Sequence, residues 1–285
     1  MARYILSHFY FLSYFSNMSL LGSKSSIFAM FKSLGLLFLF ILFGLFLDSS
    51  SMVAITNNAQ TYANISMVIG FSVTFYSISK RIREQMIFAV VIAVFGEYLF
   101  SIVLGMYTYR LGNVPHYIPL GHALVYVGVL YFSKASSIIK NKSRLEHLFT
   151  SFIIVYATFS LILKADVFGF VMTVITLLIL RKRPRERLFY LTMYLTVAYL
   201  EIIGTSYGCW WWPTTAWDVI SFLPSHNPPS GISLFYFALD LGTLWLYKKR
   251  HPIVWLRMKK IRKIKKIISQ KEGIYRIKNR RAACL

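Results

Sequence analysis

The chain has 285 residues, of which 56% are hydrophobic and only 15% are charged, and its formal net charge is +22. A soluble domain carries about 25% charged residues, so this composition argues against a soluble enzyme or binding domain. The basic residues lie between apolar runs and in one terminal tail, which argues against a nucleic acid as the partner.

Residues 1–30 have an apolar pattern that polar residues interrupt. The run Tyr4–Leu21 lacks a basic leader and a small-residue cleavage site, so it is a poor signal peptide. Two interpretations remain open: the segment lies in the membrane interface as an amphipathic element, or it is dispensable and translation begins at Met30.

Apolar runs of about 20 residues then recur, which is the length of a helix that crosses the hydrocarbon layer of a membrane. These runs do not alternate between polar and apolar residues, as the strands of a membrane barrel would. We therefore expect an all-α, polytopic transmembrane helical bundle of about eight helices. The predicted spans are roughly 33–53, 62–80, 86–107, 118–135, 148–164, 166–181, 188–208 and 230–248.

The connections between the predicted spans alternate in charge. One set is basic, for example at Lys80–Arg83 and Arg181–Arg187, and the set near 54–61, 108–117, 165 and 209–229 contains almost no Lys or Arg. The positive-inside rule places the basic set in the cytoplasm. The sequence thus predicts a multi-pass protein of the bacterial inner membrane with both termini in the cytoplasm.

Two stretches of the chain resemble one another. In each stretch, a basic loop that contains Arg-x-Arg-Glu leads into a predicted span. That span carries one acid, Glu97 in the first stretch and Glu201 in the second, and it ends in glycine followed by aromatic residues. This order predicts a parallel duplication of a four-helix unit, over 31–147 and 148–248. A basic tail, 249–285, follows.

Intramembrane acids are the first candidates for chemistry, because a carboxyl group in hydrocarbon is costly unless it faces a cavity or a partner. Glu97 and Glu201 are predicted as acid and base. Asp48 and Asp166 are closer to span ends, and we expect them to be interfacial. The residues predicted to support the acid pair are His122, His226 and Asp240.

The outer connections supply candidate ligand-binding residues. Tryptophans at this depth are typical of an interfacial belt. The prolines of the loop 208–230 nevertheless favour a stiff lid over an apolar cavity. The residues predicted to bind substrate are Tyr107, Tyr109, Arg110, His116, Trp210, Trp212 and Asn227.

No spacing typical of a metal site or of a nucleotide-binding loop occurs, and the sequence predicts no particular cofactor. A metal site would have to be assembled from separate helices, for example from Glu97, His122, Glu201 and His226, and proton transfer is the favoured role for these groups. Cys209 and Cys284 are too few for a disulfide framework and are predicted to lie on opposite sides of the membrane. No motif supports Cys209 as a nucleophile.

The tail 249–285 holds 14 Lys or Arg residues and one acid, Glu272. Ile261, Ile264 and Ile268 are spaced along one helical face. The pattern predicts a cytoplasmic helix that binds anionic lipid headgroups, with membrane lipids as the general partners, and contact with RNA or the ribosome is the alternative that stays open.

The run from Glu201 to Trp212, with its acid, two glycines and aromatic cluster, resembles a segment of bacterial carotenoid hydratases, which are polytopic membrane enzymes. That resemblance implies acid-catalysed chemistry on an isoprenoid with Glu201 as the acid. We therefore expect an integral membrane enzyme that acts on a lipid or isoprenoid near the outer leaflet. The alternatives are a proton-coupled transporter or flippase and a non-catalytic assembly factor.

Overall fold

The structure is a computed structural model that describes residues 25–258 and 260–261, with side chains from residue 34 onward. The expectations for most of segment 1–30, and for the tail beyond residue 261, concern residues outside this description. The chain divides into two units, Met1–Thr243 and Leu244–Leu285.

Helices account for most of the described residues. The helical segments are α1 (Ser25–Phe46), α2 (Ser50–Val53), α3 (Ala59–Ser77), α4 (Lys80–Glu97, continued by a π-helical turn at Tyr98–Val103), α5 (Tyr117–Lys134), α6 (Ser136–Lys140), α7 (Lys142–Lys164), α8 (Val167–Arg181), α9 (Arg187–Ser206) and α10 (Ser233–Arg250). The short strands are β1 (Thr108–Tyr109), β2 (Trp210–Trp211), β3 (Thr215–Ala216) and β4 (Ile220–Pro224).

The helical fold class is confirmed, and each predicted apolar run coincides with one of the long helices. Among the described residues, three helical stretches are long and apolar enough to cross a membrane: Lys80–Val103, Lys142–Lys164 and Arg187–Ser206. Two shorter apolar helical stretches, Leu34–Phe46 and Val167–Arg181, accompany them. The full set of eight spans stays a prediction.

The long helices expose apolar faces. On α7, Phe152, Val155, Phe159 and Ile162 are exposed and recur every three or four residues. Monomeric soluble proteins rarely expose a continuous apolar surface of this kind. Such a face is suited to contact with lipid chains, and the opposite face of α7 is the one that packs inside the unit.

Helix α9 is the most enclosed element of the first unit. Its buried residues include Leu191, Tyr194 and Val197, and it packs against α1, α5 and α7. The hydroxyl of Tyr194 donates to the carbonyl of Ser230 at 2.7 Å and lies 2.7 Å from Oγ1 of Thr173. Because α9 carries Glu201, the most buried helix also positions one of the predicted catalytic acids.

The connections that contain almost no Lys or Arg meet at one end of the helices. The backbone of Ser50 donates to Tyr207, and that of Arg110 donates to Cys209, each at 2.9 Å. Strands β1 and β2 pair antiparallel there, with Tyr109 opposite Trp210. We call this the outer end. At the other end, Nζ of Lys142 donates to the carbonyl of Pro184 at 2.7 Å, which joins two of the basic connections.

The second unit is described only over its first part. It contains the end of α10 and a helical segment at 252–258. Nζ of Lys249 lies 4.6 Å from the ring centre of Trp245, and Nζ of Lys248 lies 4.7 Å from that of Trp255. These cation–π contacts place charge beside indole rings, an arrangement that suits a membrane interface.

Candidate active site

Glu97 is the last residue of α4 and accepts three hydrogen bonds. After the π-helical turn, Gly105 has a φ of +58°, a conformation that glycine adopts without strain, and the chain reverses into β1. The reversal returns two tyrosines to the end of α4. The hydroxyls of Tyr107 and Tyr109 donate to Oε2 of Glu97 at 2.5 and 2.6 Å, and Nε2 of His122 lies 2.7 Å from Oε1.

Glu201 is bound in a matching way at the end of α9. Gly208, with a φ of +70°, reverses the chain into β2. The indole Nε1 atoms of Trp210 and Trp212 donate to Oε2 of Glu201 at 2.9 and 3.0 Å. The hydroxyl of Tyr236 on α10 donates to Oε1 at 3.3 Å. The two tryptophans are therefore buried ligands of a carboxyl group and not members of an exposed belt.

The hydrogen-bond partners of the two acids contact each other through their rings. The ring of His122, which is bonded to Glu97, lies 4.6 Å from that of Tyr236, which is bonded to Glu201. A second bridge runs from Tyr107 to Trp212, whose ring centres are also 4.6 Å apart.

Both carboxyl groups lie on the wall of one cavity of about 80 Å³. A water molecule needs about 10–15 Å³ of such volume, so several would fit. Most of the lining is apolar or aromatic, with contributions from α1, α3, α4, α5, α9 and α10. Lining residues include Leu37, Ile41, Met67, Phe100, Ile232 and Phe235.

The donor groups around Glu97 remain protonated. Tyr109 lies outside the helices, where burial and then the nearby Glu97 carboxylate raise its pKa well above the ordinary value for tyrosine. It therefore stays a phenol at neutral pH and acts as a hydrogen-bond donor. Glu97 therefore contacts the hydroxyls of two tyrosines through one oxygen and the imidazole of His122 through the other.

Arg110 does not line the cavity. It forms an ion pair with Asp48, whose other oxygen accepts from the hydroxyl of Tyr117 at 2.9 Å. Asp48 is buried within the protein, with an exposure of 0%, and its expected position at the membrane interface stays a prediction. A helix-end acid can be buried here because a guanidinium and a phenol share its charge. Arg110 therefore braces the outer end, and its predicted role in binding substrate stays untested.

The residues His226 and Asn227 brace the loop before α10. The backbone of His226 donates to Oδ1 of Asp166 at 3.2 Å, and Oδ1 of Asn227 accepts from the backbone of Trp212 at 3.0 Å. Neither side chain lines the cavity. Asp166 is also buried, with an exposure of 0%, because it caps α8 and accepts from Ser230 as well, and its expected interfacial position likewise stays a prediction.

His116 is exposed at the N-terminal end of α5 and lies away from both acids. Asp240 is buried one helical turn from Tyr236 on α10, and it does not line the cavity that the two glutamates share. Of the five residues predicted as catalytic, the structure thus brings Glu97, Glu201 and His122 together and places His226 and Asp240 elsewhere.

Cys209 is fully buried, and its thiol lies 3.4 Å from the carbonyl oxygen of Leu45. Burial, and then the nearby carboxylate of Asp48, raise its pKa to about 12. The thiolate is the nucleophilic form, so this environment suits a structural cysteine.

Sequence reasoning missed Tyr236, the third donor to Glu201. Tyrosine is common in this chain, and only the four-residue spacing from Asp240 on one helix face marks this one. It also missed Tyr117, Tyr126 and Tyr190, whose hydroxyls are buried among apolar helices.

Within the part of the chain that the structure describes, no three His, Cys, Asp or Glu side chains are grouped closely enough to hold a metal ion. Of the four residues considered for such a site, Glu97, His122 and Glu201 line the cavity and His226 does not. No protein-family model matches the chain, and neither a curated protein nor a solved structure matches it.

Proposed function

We propose that the protein spans the bacterial inner membrane eight times, with both termini in the cytoplasm. The alternation of charged connections supports this topology. So do the apolar outward faces and the meeting of the poorly charged connections at one end. The basic tail would then bind anionic headgroups of the cytoplasmic leaflet.

We also propose that residues 31–147 and 148–248 are duplicated units. Glu97 accepts from two aromatic residues ten and twelve positions later, and Glu201 accepts from two that follow at nine and eleven. Asp48 after α1 and Asp166 after α7 are both buried braces of the outer end. The two sets of aromatic residues meet through the pairing of β1 with β2.

For the activity, we propose a membrane enzyme that acts on an unsaturated lipid, an isoprenoid above all, by acid–base chemistry. The observation that carries this proposal is that two buried carboxyl groups share the wall of one aromatic-lined apolar cavity. An apolar cavity with a few converging polar groups suits an apolar substrate. The resemblance around Glu201 points to the same substrate class.

The two acids have different partners and therefore different proposed roles. Nε2 of His122 lies 2.7 Å from Oε1 of Glu97, and an imidazole and a carboxyl group in hydrogen-bond contact can hold and transfer a proton. We therefore assign the Glu97–His122 pair as the general acid that protonates a carbon–carbon double bond. The donors to Glu201 are two indoles and a phenol, which hold their protons. Glu201 would thus stabilise the resulting carbocation, and the aromatic faces would assist. Addition of water, or loss of a different proton, completes hydration or isomerisation.

The test is lipid mass spectrometry on cells that lack the protein and on cells that express variants. Glu97→Gln cannot exchange a proton and Glu201→Gln cannot carry a negative charge, while glutamine keeps the size of each side chain, so each variant should abolish the lipid change that the wild type restores. Glu186→Gln is the matched control, since that carboxylate is half exposed and pairs with Arg183. Retention of the product in both cavity variants, at normal expression, would contradict the proposal.

A proton-coupled transporter or flippase is the second candidate, and a specific observation favours it. Asp240 is a buried acid on α10, one helical turn further from the outer end than Tyr236. The inner halves of the helices are therefore not purely apolar. The transporter predicts substrate movement in vesicles without a change in lipid mass. A deletion strain with normal lipids and normal transport would favour the third candidate, a non-catalytic assembly factor.

A further inference from the structure

Asp240 is a buried acid that the proposed chemistry at the outer cavity does not use. Its exposure is 4%, and Oδ2 has no hydrogen-bond partner among the described residues. The buried acids of the outer end differ in this respect, because Asp48 pairs with Arg110 and Asp166 accepts three backbone N–H groups. A buried carboxylate without a donor or a counter-charge costs several kcal/mol, so the neutral acid is the favourable form at this place.

Polar residues of three other helices surround this acid. The hydroxyl of Tyr126 on α5 donates to Oε1 of Gln85 on α4 at 2.9 Å. The hydroxyl of Tyr190 on α9 is buried and has no partner in the described part of the chain. Asp240 lies within electrostatic range of both tyrosines. We call Gln85, Tyr126, Tyr190 and Asp240 the inner polar group.

The inner polar group lies directly below the outer acid pair. Asp240 follows Tyr236 by four residues on α10, and Tyr126 follows His122 by four on α5, so each pair shares a helix face. Four residues rise about 6 Å along a helix, so Asp240 lies one turn further from the outer end than Tyr236 on α10. The neighbours Leu239 and Val125 line the outer cavity, so its floor reaches the turn that carries the inner polar group.

The same group is close to the basic connections at the opposite end of the helices. Arg81 acts electrostatically on Tyr126, and Arg183 and Glu186 act on Tyr190. A second cavity, of about 320 Å³, has Arg183 and Tyr190 on its wall. Only a short distance therefore separates the inner polar group from the side proposed to be cytoplasmic.

We propose that Asp240 is a proton-binding site that receives protons from the cytoplasmic side and passes them to the Glu97–His122 pair. In each transfer, Asp240 releases one proton from Oδ2 to a bridging water, which delivers one to His122 or Glu97. The carboxylate is then reprotonated from the cytoplasm, and no bond to carbon changes. The delivery step rests on the proposed function, but proton binding at Asp240 does not.

Dicyclohexylcarbodiimide is a suitable probe, because it enters membranes and modifies protonated carboxyl groups. The full-length protein in phospholipid vesicles is treated, and each acid-containing peptide is quantified by mass spectrometry. Asp240 should be modified at least about tenfold faster than Asp48 and Asp166. The protonated fraction of an ionised carboxyl group falls about tenfold for each unit by which the pH exceeds its pKa. Equal modification of the three aspartates, or no modification of Asp240 between about pH 5 and 8, would overturn the proposal.

Vesicles with different inner and outer pH test the direction of supply. Modification of Asp240 should follow the pH on the side of the C-terminal tail, and control by the opposite side would overturn that direction. Glu97→Gln and Glu201→Gln should leave the labelling of Asp240 unchanged. Labelling can therefore succeed while the lipid assay fails, or the reverse, so the failure of one proposal is distinguishable from the failure of the other.

Discussion

Gly204 is the position at which one added methyl group should disturb the outer site most directly. A Cβ atom at residue 204 would lie 2.1 Å from Cη2 and Cζ2 of Trp210 and 2.8 Å from its Cε2. The indole is held in place, since its Nε1 donates to Glu201 and its ring contacts that of Tyr109. The Gly204→Ala variant must therefore displace Trp210.

The cost of that displacement has two parts. Overpacking of a core site costs about 1–3 kcal/mol. A buried carboxylate that loses one of its donors costs about 1.5–3 kcal/mol. The better helix propensity of alanine returns about 1 kcal/mol at most. We expect the free energy of unfolding to fall by about 3 kcal/mol in Gly204→Ala.

The free energy of unfolding can be measured in mixed micelles, by circular dichroism as the fraction of sodium dodecyl sulfate rises. Gly96→Ala is the control, because its Cβ would meet nothing closer than 3.9 Å. In a Trp210→Leu background the ring is gone, so Gly204→Ala should add little further loss. Equal stability of the Gly204 and Gly96 variants would refute the steric argument.

Four further predictions concern the outer end, the topology and the N-terminal segment. Arg110→Ala leaves Asp48 as an unpaired buried charge and should lower the unfolding free energy by about 3–5 kcal/mol, while adding Asp48→Asn should recover part of that loss in the same assay. In a Cys284→Ser background, Cys209 should resist iodoacetamide at about pH 8, where a pKa of about 12 leaves roughly one thiolate in 10⁴; rapid labelling before denaturation would contradict its burial. A C-terminal alkaline phosphatase fusion should be inactive and a green fluorescent fusion should fluoresce, and a protein that begins at Met30 should still insert and function.

The positions of the helices could be predicted because hydrophobic runs are long and their charged boundaries are sharp. Arg187 begins α9 next to the predicted start at 188, whereas α4 begins at Lys80, inside the predicted basic connection and ahead of the predicted start at 86. The pairing of Glu97 and Glu201 with aromatic residues could be anticipated only in part, from the recurrence of acid, glycine and aromatic residues. Sequence spacing says which residues recur, but not which atoms of Trp210 reach a carboxyl group.

The burial of Asp48 and Asp166 could not be predicted, because their partners are distant in sequence. Asp48 pairs with Arg110, which is 62 residues away, and Asp166 accepts from Ser230, which is 64 residues away. A charge near the end of an apolar run is usually interfacial. Their burial inside the protein depends on tertiary contacts between the outer connections, and no local pattern encodes those contacts.

The π-helical turn at Tyr98–Val103 accounts for a difference of one residue between the two acid-to-aromatic spacings of the proposed repeats. Glu97 precedes its first aromatic donor by ten residues, whereas Glu201 precedes its first by nine. A π-helical turn holds one residue more than an α-helical turn, so it absorbs the additional residue before the chain reverses at Gly105. The two aromatic segments can then pair as neighbouring strands while each still reaches its own acid. The extra residue thus changes the helix locally and leaves both carboxyl groups on the wall of the cavity.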